Sequence, residues 1–191
     1  MKINLKQAVK YFFSNPSLEL VYIEAIANSI DAGASKIDVE ISIKDLSMPK
    51  TLSILIRDNG GGFTDKRFDK FSKLMEVEEE THKGLGRLVF LSYFNTVDVV
   101  SYFDQKKRTF KYSASSEDFD MKLIDTKSEL NKTELKFSGY YLKKIATHEY
   151  LKPSYLKKKL LEEFYPRLYL MKEEGKELEI NISLKLEQED N

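Results

Sequence analysis

From Ser17 onward the chain is apolar at Leu18, Leu20, Val21, Ile23, Ile26, Ala27 and Ile30, and Gly33 supplies a natural stop. This predicts a helix from Ser17 to about Ala32 that is apolar nearly all round and mostly buried. Ahead of it Leu5, Ala8, Val9, Phe12 and Phe13 recur three and four apart, which predicts a short amphipathic helix over residues 3–13, broken by Asn15, Pro16 and Ser17. The period then changes. Ile37, Val39, Ile41 and Ile43 alternate with polar residues, as do Leu52, Ile54 and Ile56, on either side of a turn near Met48 to Lys50, so two paired strands are expected.

Further along, the pattern predicts a helix over residues 65–75, an acidic run (Glu76, Glu78, Glu79, Glu80), and a buried helix over the apolar segment Leu88 to Phe94. Strands rich in β-branched and aromatic residues are expected near 96–103, 107–113, 119–125 and 132–138, followed by a helix over 153–171 and a strand over 178–186. Helices cluster early and strands pair mostly with their neighbours. That pattern predicts an α+β fold, a sandwich with a mixed, largely antiparallel sheet. There is no internal repeat and no low-complexity linker, and 191 residues suit one domain, residues 1–191, with its own core.

Composition narrows the function classes. Hydrophobic residues at 41% and charged residues at 32% are ordinary for a globular protein, and 31 basic against 31 acidic side chains select no partner by charge. With no cysteine, disulfides and thiolate metal sites are excluded, and His82 and His148 are too few and too far apart for a dedicated zinc site. No apolar run approaches the roughly 18 residues of a membrane span, and the N-terminus lacks a secretory signal, so an intracellular, cytoplasmic protein or fragment is expected. The basic clusters Lys106-Lys107-Arg108 and Lys157-Lys158-Lys159 read as solvated surface in a chain of zero net charge, so nucleic acid is expected only through other domains.

Three short elements carry candidate chemistry. Glu24, Asn28 and Asp31 stand at i, i+4 and i+7, which places them on one helical face. Burying such a stripe without partners is costly, so it faces solvent or a cleft holding a cation, water or ligand. Asp58-Asn59-Gly60-Gly61-Gly62 follows a hydrophobic strand, and its glycines let the backbone lie close against a ligand; an ordinary turn has the same composition. Lys83-Gly84-Leu85-Gly86-Arg87 offers free backbone N–H groups and two cations to an anion, although a GxG alone is weak evidence.

Taken in this order, EAIANSIDAG (24–33), DNGGGF (58–63) and KGLGR (83–87) resemble the superfamily of gyrase, Hsp90, histidine kinase and MutL ATPases, most closely its MutL and Hsp90 branches. The resemblance covers roughly residues 20–140 and implies the Bergerat fold, a two-layer α/β sandwich, with ATP and Mg²⁺ as ligands. It assigns Glu24 as the general base, Asn28 as the Mg²⁺ ligand, and Asp31 as the polar residue closing the helix near the nucleotide. Asp58 matches the acceptor of the adenine amine, and Gly60 and Gly62 match the glycines passing beneath the base. Lys83, Gly84, Gly86 and Arg87 fall where the family wraps the triphosphate. Thr133 resembles the strand threonine that supports the adenine-binding aspartate, though a threonine in a strand needs no function. The segment between the glycine turn and Lys83 is short, which implies an abbreviated lid.

The function implied is a Mg-ATP-binding domain with slow hydrolysis, the N-terminal ATPase module of a larger protein, with dimerisation or partner domains outside this chain. Two other readings stay open: a nucleotide-gated interaction module with little or no hydrolysis, and a histidine-kinase catalytic domain, which lacks a visible dimerising hairpin here.

Overall fold

In the computed structural model the described residues are 17–72, 86–114 and 119–186. The helix expected over residues 3–13, the acidic run at 76–80, and His82, Lys83 and Gly84 lie outside them. The first described helix, α1 (Glu19–Asp31), buries Val21, Tyr22, Ala25, Ile26, Ser29 and Ile30. Leu20, Ile23 and Ala27 are only partly buried, so the helix has one core face rather than being enclosed all round. It stops at Gly33, whose φ of 78° lets the Ala34 N–H return to Ser29 O at 3.1 Å and satisfy a terminal carbonyl.

A hairpin of β1 (Lys36–Ile43) and β2 (Ser53–Asp58) follows, antiparallel with Ile37 opposite Asp58. Next come α2 (Asp65–Ser72), β3 (Phe94–Phe103), β4 (Lys106–Ser113), β5 (Lys122–Asp125) and β6 (Lys132–Tyr140). The chain continues through α3 (Pro153–Glu173) into β7 (Glu179–Leu186). The seven strands form one sheet in the order β5-β4-β3-β6-β2-β1-β7, in which only β1 and β7 run parallel. The expected mixed, largely antiparallel α+β architecture is therefore present.

One face of the sheet is apolar and covered: Ile37, Val39 and Ile41 of β1, Ile54 and Ile56 of β2, Val97 and Val99 of β3 and Phe137 of β6 are buried. On the other face charges pair across strands, as Arg57 does with Glu40 and Glu134, and Lys111 with Asp98. Helix α3 lies against the covered layer with Leu156, Leu160 and Phe164 at a four-residue spacing. No helix among the described residues is long and apolar enough to cross a membrane.

The segment expected as a buried helix over 88–94 is buried, but its form differs. Gly86–Ser92 makes a 3₁₀ helix, and Phe94 already opens β3. An apolar run without polar positions carries no period, so its length alone could not separate helix from strand at the boundary.

Candidate functional site

The site begins with a row of polar residues on the otherwise apolar face of the sheet. Strand register sets Asp58 opposite Thr133, Thr133 opposite Ser101, and Ser101 opposite Arg108, across β2, β6, β3 and β4. All four are buried, with exposures of 7%, 4%, 0% and 2% in that order. Each needs partners, because an unpaired polar group in such a place costs roughly 1–3 kcal/mol.

Asp58 finds its partners in α1 and in its own turn. Ser29 Oγ donates to Oδ2 at 3.0 Å, and the Gly60 N–H donates to Oδ1 at 2.9 Å. Burial pushes the Asp58 carboxyl above the usual aspartate range, against the pull of the Gly60 and Ser29 hydrogen bonds and the Arg67 charge. Thr133 and Ser101 join their hydroxyls at 3.2 Å. Thus the threonine stands beside Asp58 in register while its described hydroxyl partner is Ser101.

The glycine turn is laid across this row. The Phe63 N–H donates to Ser101 Oγ at 2.8 Å, and Arg108 Nη1 donates to Phe63 O at 2.5 Å. Gly62 has φ of 68°, and a Cβ there would stand 2.7 Å from Ser101 Oγ and 2.9 Å from Tyr102 O. Gly60 is equally pressed, since its Cβ would lie 2.9 Å from Ala32 Cβ. Asn59 fastens the other side, its Oδ1 accepting from the Ser35 and Lys36 N–H groups at 2.9 Å each. Arg108 also pairs with Asp65 and lies over Phe68, which seats α2 above the sheet.

Between α1, α2 and the sheet floor lies a cleft of about 530 Å³, within the usual range of small-molecule sites. Glu24, Asn28 and Asp31 all line it from the α1 side, and Asp58 and Thr133 line it from the sheet. Asn28 Nδ2 donates to Glu24 Oε1 at 3.2 Å. That leaves the Asn28 side-chain oxygen, Oδ1, without a partner among the described residues. Burial pushes the Glu24 carboxyl above the ordinary glutamate range; the Asn28 hydrogen bond opposes this, Asp31 reinforces it and Arg87 opposes it. Asp31, at the exposed rim, is ion-paired with Arg167 of α3.

Gly86 and Arg87 close the far end. A side chain at Gly86 would overlap the Glu24 carboxylate, so the missing Cβ is what admits that carboxylate. Arg87 is 6% exposed with its guanidinium 4.7 Å from the centre of the Phe71 ring. Its Nε and Nη2, and the neighbouring Tyr112 hydroxyl, have no well-formed hydrogen bond among the described residues, although Arg87 and Tyr112 perturb each other's titration. Burial lowers the Arg87 pKa and pushes Tyr112 up to about 12. Two buried guanidinium nitrogens without a well-formed hydrogen bond beside a cleft suit an anion.

The sequence pattern of the family described as histidine kinase-, DNA gyrase B-, and HSP90-like ATPase matches residues 16–141. The chain belongs to this ATPase family. A solved structure of the N terminal domain of a DNA repair protein is similar to it, with a TM-score of 0.57 and 15% identity over 96% of this chain. The match takes in 53% of that chain, so this ATPase-family chain spans about half its length. At such identity the likeness shows the fold, and it agrees with the Bergerat sandwich expected. No curated protein matches at a significant level. Membership of the ATPase family supports ATP binding in general, and the cleft is lined by residues of EAIANSIDAG and DNGGGF together with Gly86 and Arg87.

Sequence reasoning missed Ser29, Ser101, Arg67, Lys70, Phe71 and Tyr112, and it read Arg108 with Lys106 and Lys107 as solvated surface, whereas Arg108 is 2% exposed and holds Phe63 O and Asp65. Only Ser29 left a signal: it is a polar residue at the spacing of Val21, Tyr22, Ala25 and Ile26, on the core face of α1.

Proposed function

We propose that the cleft binds Mg-ATP, with the adenine against Asp58 and the phosphates towards Asn28, Glu24 and Arg87, and that the chain hydrolyses it slowly. The observation that carries the reading is Asp58: a buried carboxylate at the sheet end of the cleft, held by Ser29 and Gly60. A carboxylate accepts about four hydrogen bonds, so an amine donor from the base finds capacity left over. Gly60 and Gly62 keep side chains away from the base.

The residues at the other end fit a metal-bound polyphosphate. The Asn28 side-chain oxygen, Oδ1, is an oxygen ligand of the kind Mg²⁺ takes alongside substrate phosphates. Arg87 offers unsatisfied donors, and the resemblance adds Lys83 and Gly84, outside the described residues, to the phosphate side. When bound, Mg²⁺ supplies neutralisation of phosphate charge. Glu24, hydrogen-bonded by Asn28 and raised in pKa by burial, is the proposed acceptor of a proton from water. Thr133 and Asp31 support the site rather than touch the reacting atoms, Thr133 through the polar row and Asp31 at the rim.

The chain is further proposed to be a single ATPase domain, residues 1–191, working as a module of a larger MutL-like or Hsp90-like protein. Any action on nucleic acid would then lie in other domains. Titration of the chain with ATP, ADP and a non-hydrolysable analogue, with and without Mg²⁺, tests the binding. Mg²⁺-dependent binding is expected; its absence overturns the reading. The Glu24→Ala variant should bind ATP and lose turnover, and full turnover in that variant would remove the role given to Glu24.

A further inference from the structure

The opposite wall of the cleft, which no motif announced, is built by α2. Its residues Arg67, Lys70 and Phe71 line the cleft, and their spacing of three and four puts them on one helical face. The helix has a fixed direction along the site. At its start Arg67 Nη1 donates to Gly62 O at 3.1 Å, lies against Gly61, and acts electrostatically on Asp58. At its end Phe71 supports Arg87, whose neighbour Gly86 abuts Glu24. Lys70 is therefore one turn beyond Arg67, about 4.5 Å along the axis, towards the Glu24 end.

From this geometry we propose that Arg67 and Lys70 bind the polyphosphate of the nucleotide, Arg67 nearest the base and Lys70 further along the chain of phosphates. The proposal rests on the Mg-ATP reading of the cleft. Glu24, Asn28 and Asp31 of α1 line the same cleft, so a ligand in it meets acid and amide groups as well as cations. A polyanion carrying a divalent cation is complementary to both at once. Neither Arg67 nor Lys70 has an ion-pair partner among the described residues, whereas Arg108, on the neighbouring β4, is committed to Asp65. Arg67 keeps further N–H donors beyond the one given to Gly62, because a guanidinium carries five. Lys70 is exposed, so its charge meets the ligand without a prior burial cost.

Affinities of adenosine, ADP and Mg-ATP for the 191-residue chain and for Arg67→Gln and Lys70→Gln test this. Arg67→Gln should weaken ADP and ATP alike by about tenfold or more, and Lys70→Gln should weaken ATP more than ADP. Lys70→Gln should leave adenosine unchanged, Arg67→Gln should weaken adenosine less than ADP because Arg67 also holds Gly62 O, and Lys70→Arg should restore most of the ATP affinity. If the unaltered chain binds no nucleotide, the Mg-ATP reading fails and this assignment falls with it. If it binds ATP and both Gln variants match it, only the assignment fails. An equal loss for adenosine and ATP would make the two residues supports of the fold and would also overturn it.

Discussion

Ser29 Oγ of α1 donates to Asp58 Oδ2 of β2 at 3.0 Å, and this one bond ties the helix carrying Glu24 and Asn28 to the strand carrying the proposed adenine acceptor. Ser29 also donates within 3.1 Å of Ala25 O, so its hydroxyl is shared between the helix backbone and the carboxylate. Ser29→Ala leaves Asp58 with one described partner at 7% exposure. A loss of about 1–3 kcal/mol in unfolding free energy is expected, together with weaker ATP binding. Urea unfolding checks the first part and calorimetric titration the second; an unchanged urea midpoint would show that water replaces the serine at no cost.

Burial raises the Asp58 pKa in the folded chain, so between the usual aspartate value and the raised one the folded state holds more protons than the unfolded. Stability therefore falls as pH rises through that window and is level above it. Glu24, also raised, adds to the same slope. Asp58→Asn should flatten the slope by its own share and abolish ATP binding at neutral pH. Denaturant midpoints across the acid range decide the point, since a variant that keeps the full slope places its origin elsewhere.

Turnover, if Glu24 is the base, should rise with pH along a limb displaced upward from the ordinary glutamate range and then level off, because only the carboxylate accepts a proton. Arg87 pulls the Glu24 pKa down. Arg87→Met should move the limb to higher pH as well as weaken ATP. A limb that stays in place in this variant would break the electrostatic link between the two residues.

Gly86 has no room for a methyl group beside the Glu24 carboxylate. Gly86→Ala should displace that carboxylate and lower kcat by about a hundredfold, the usual scale for a misplacement of about 1 Å, while ATP still binds. Single-turnover phosphate release measures it. Unaltered kcat would mean that the carboxylate works from another position.

Gly62 combines φ of 68° with close approach to Ser101, Tyr102 and Phe103. Gly62→Ala should cost about 1–3 kcal/mol for the backbone conformation alone, and more for the overlap with Tyr102 O. Thermal unfolding reads the loss, and a Tm equal to that of the unaltered chain would contradict it.

Much of the fold was legible because its signals are local. The alternation at Ile37, Val39, Ile41 and Ile43 became β1 with that face buried, and Gly33 ended α1 as its freedom at positive φ requires. The 3.6-residue period put Glu24, Asn28 and Asp31 on one face, and all three line the cleft. The parallel pairing of β1 with β7 was not legible, since it joins residues more than 140 positions apart. Nor was the start of β3 at Phe94, where an unbroken apolar run hides the change from helix to strand.

By itself the sequence determined which residues are capable of site chemistry and which faces they share, because periodicity and glycine placement act within a few residues. Tertiary structure decided what those residues meet. It set Ser29 under Asp58, brought Thr133, Ser101 and Arg108 into one row by strand register, and brought Arg67 and Lys70 of α2 into the lining of the same cleft as Asn28. Such contacts depend on how separate elements pack to bury apolar surface and pair their polar groups, and no local pattern encodes that outcome.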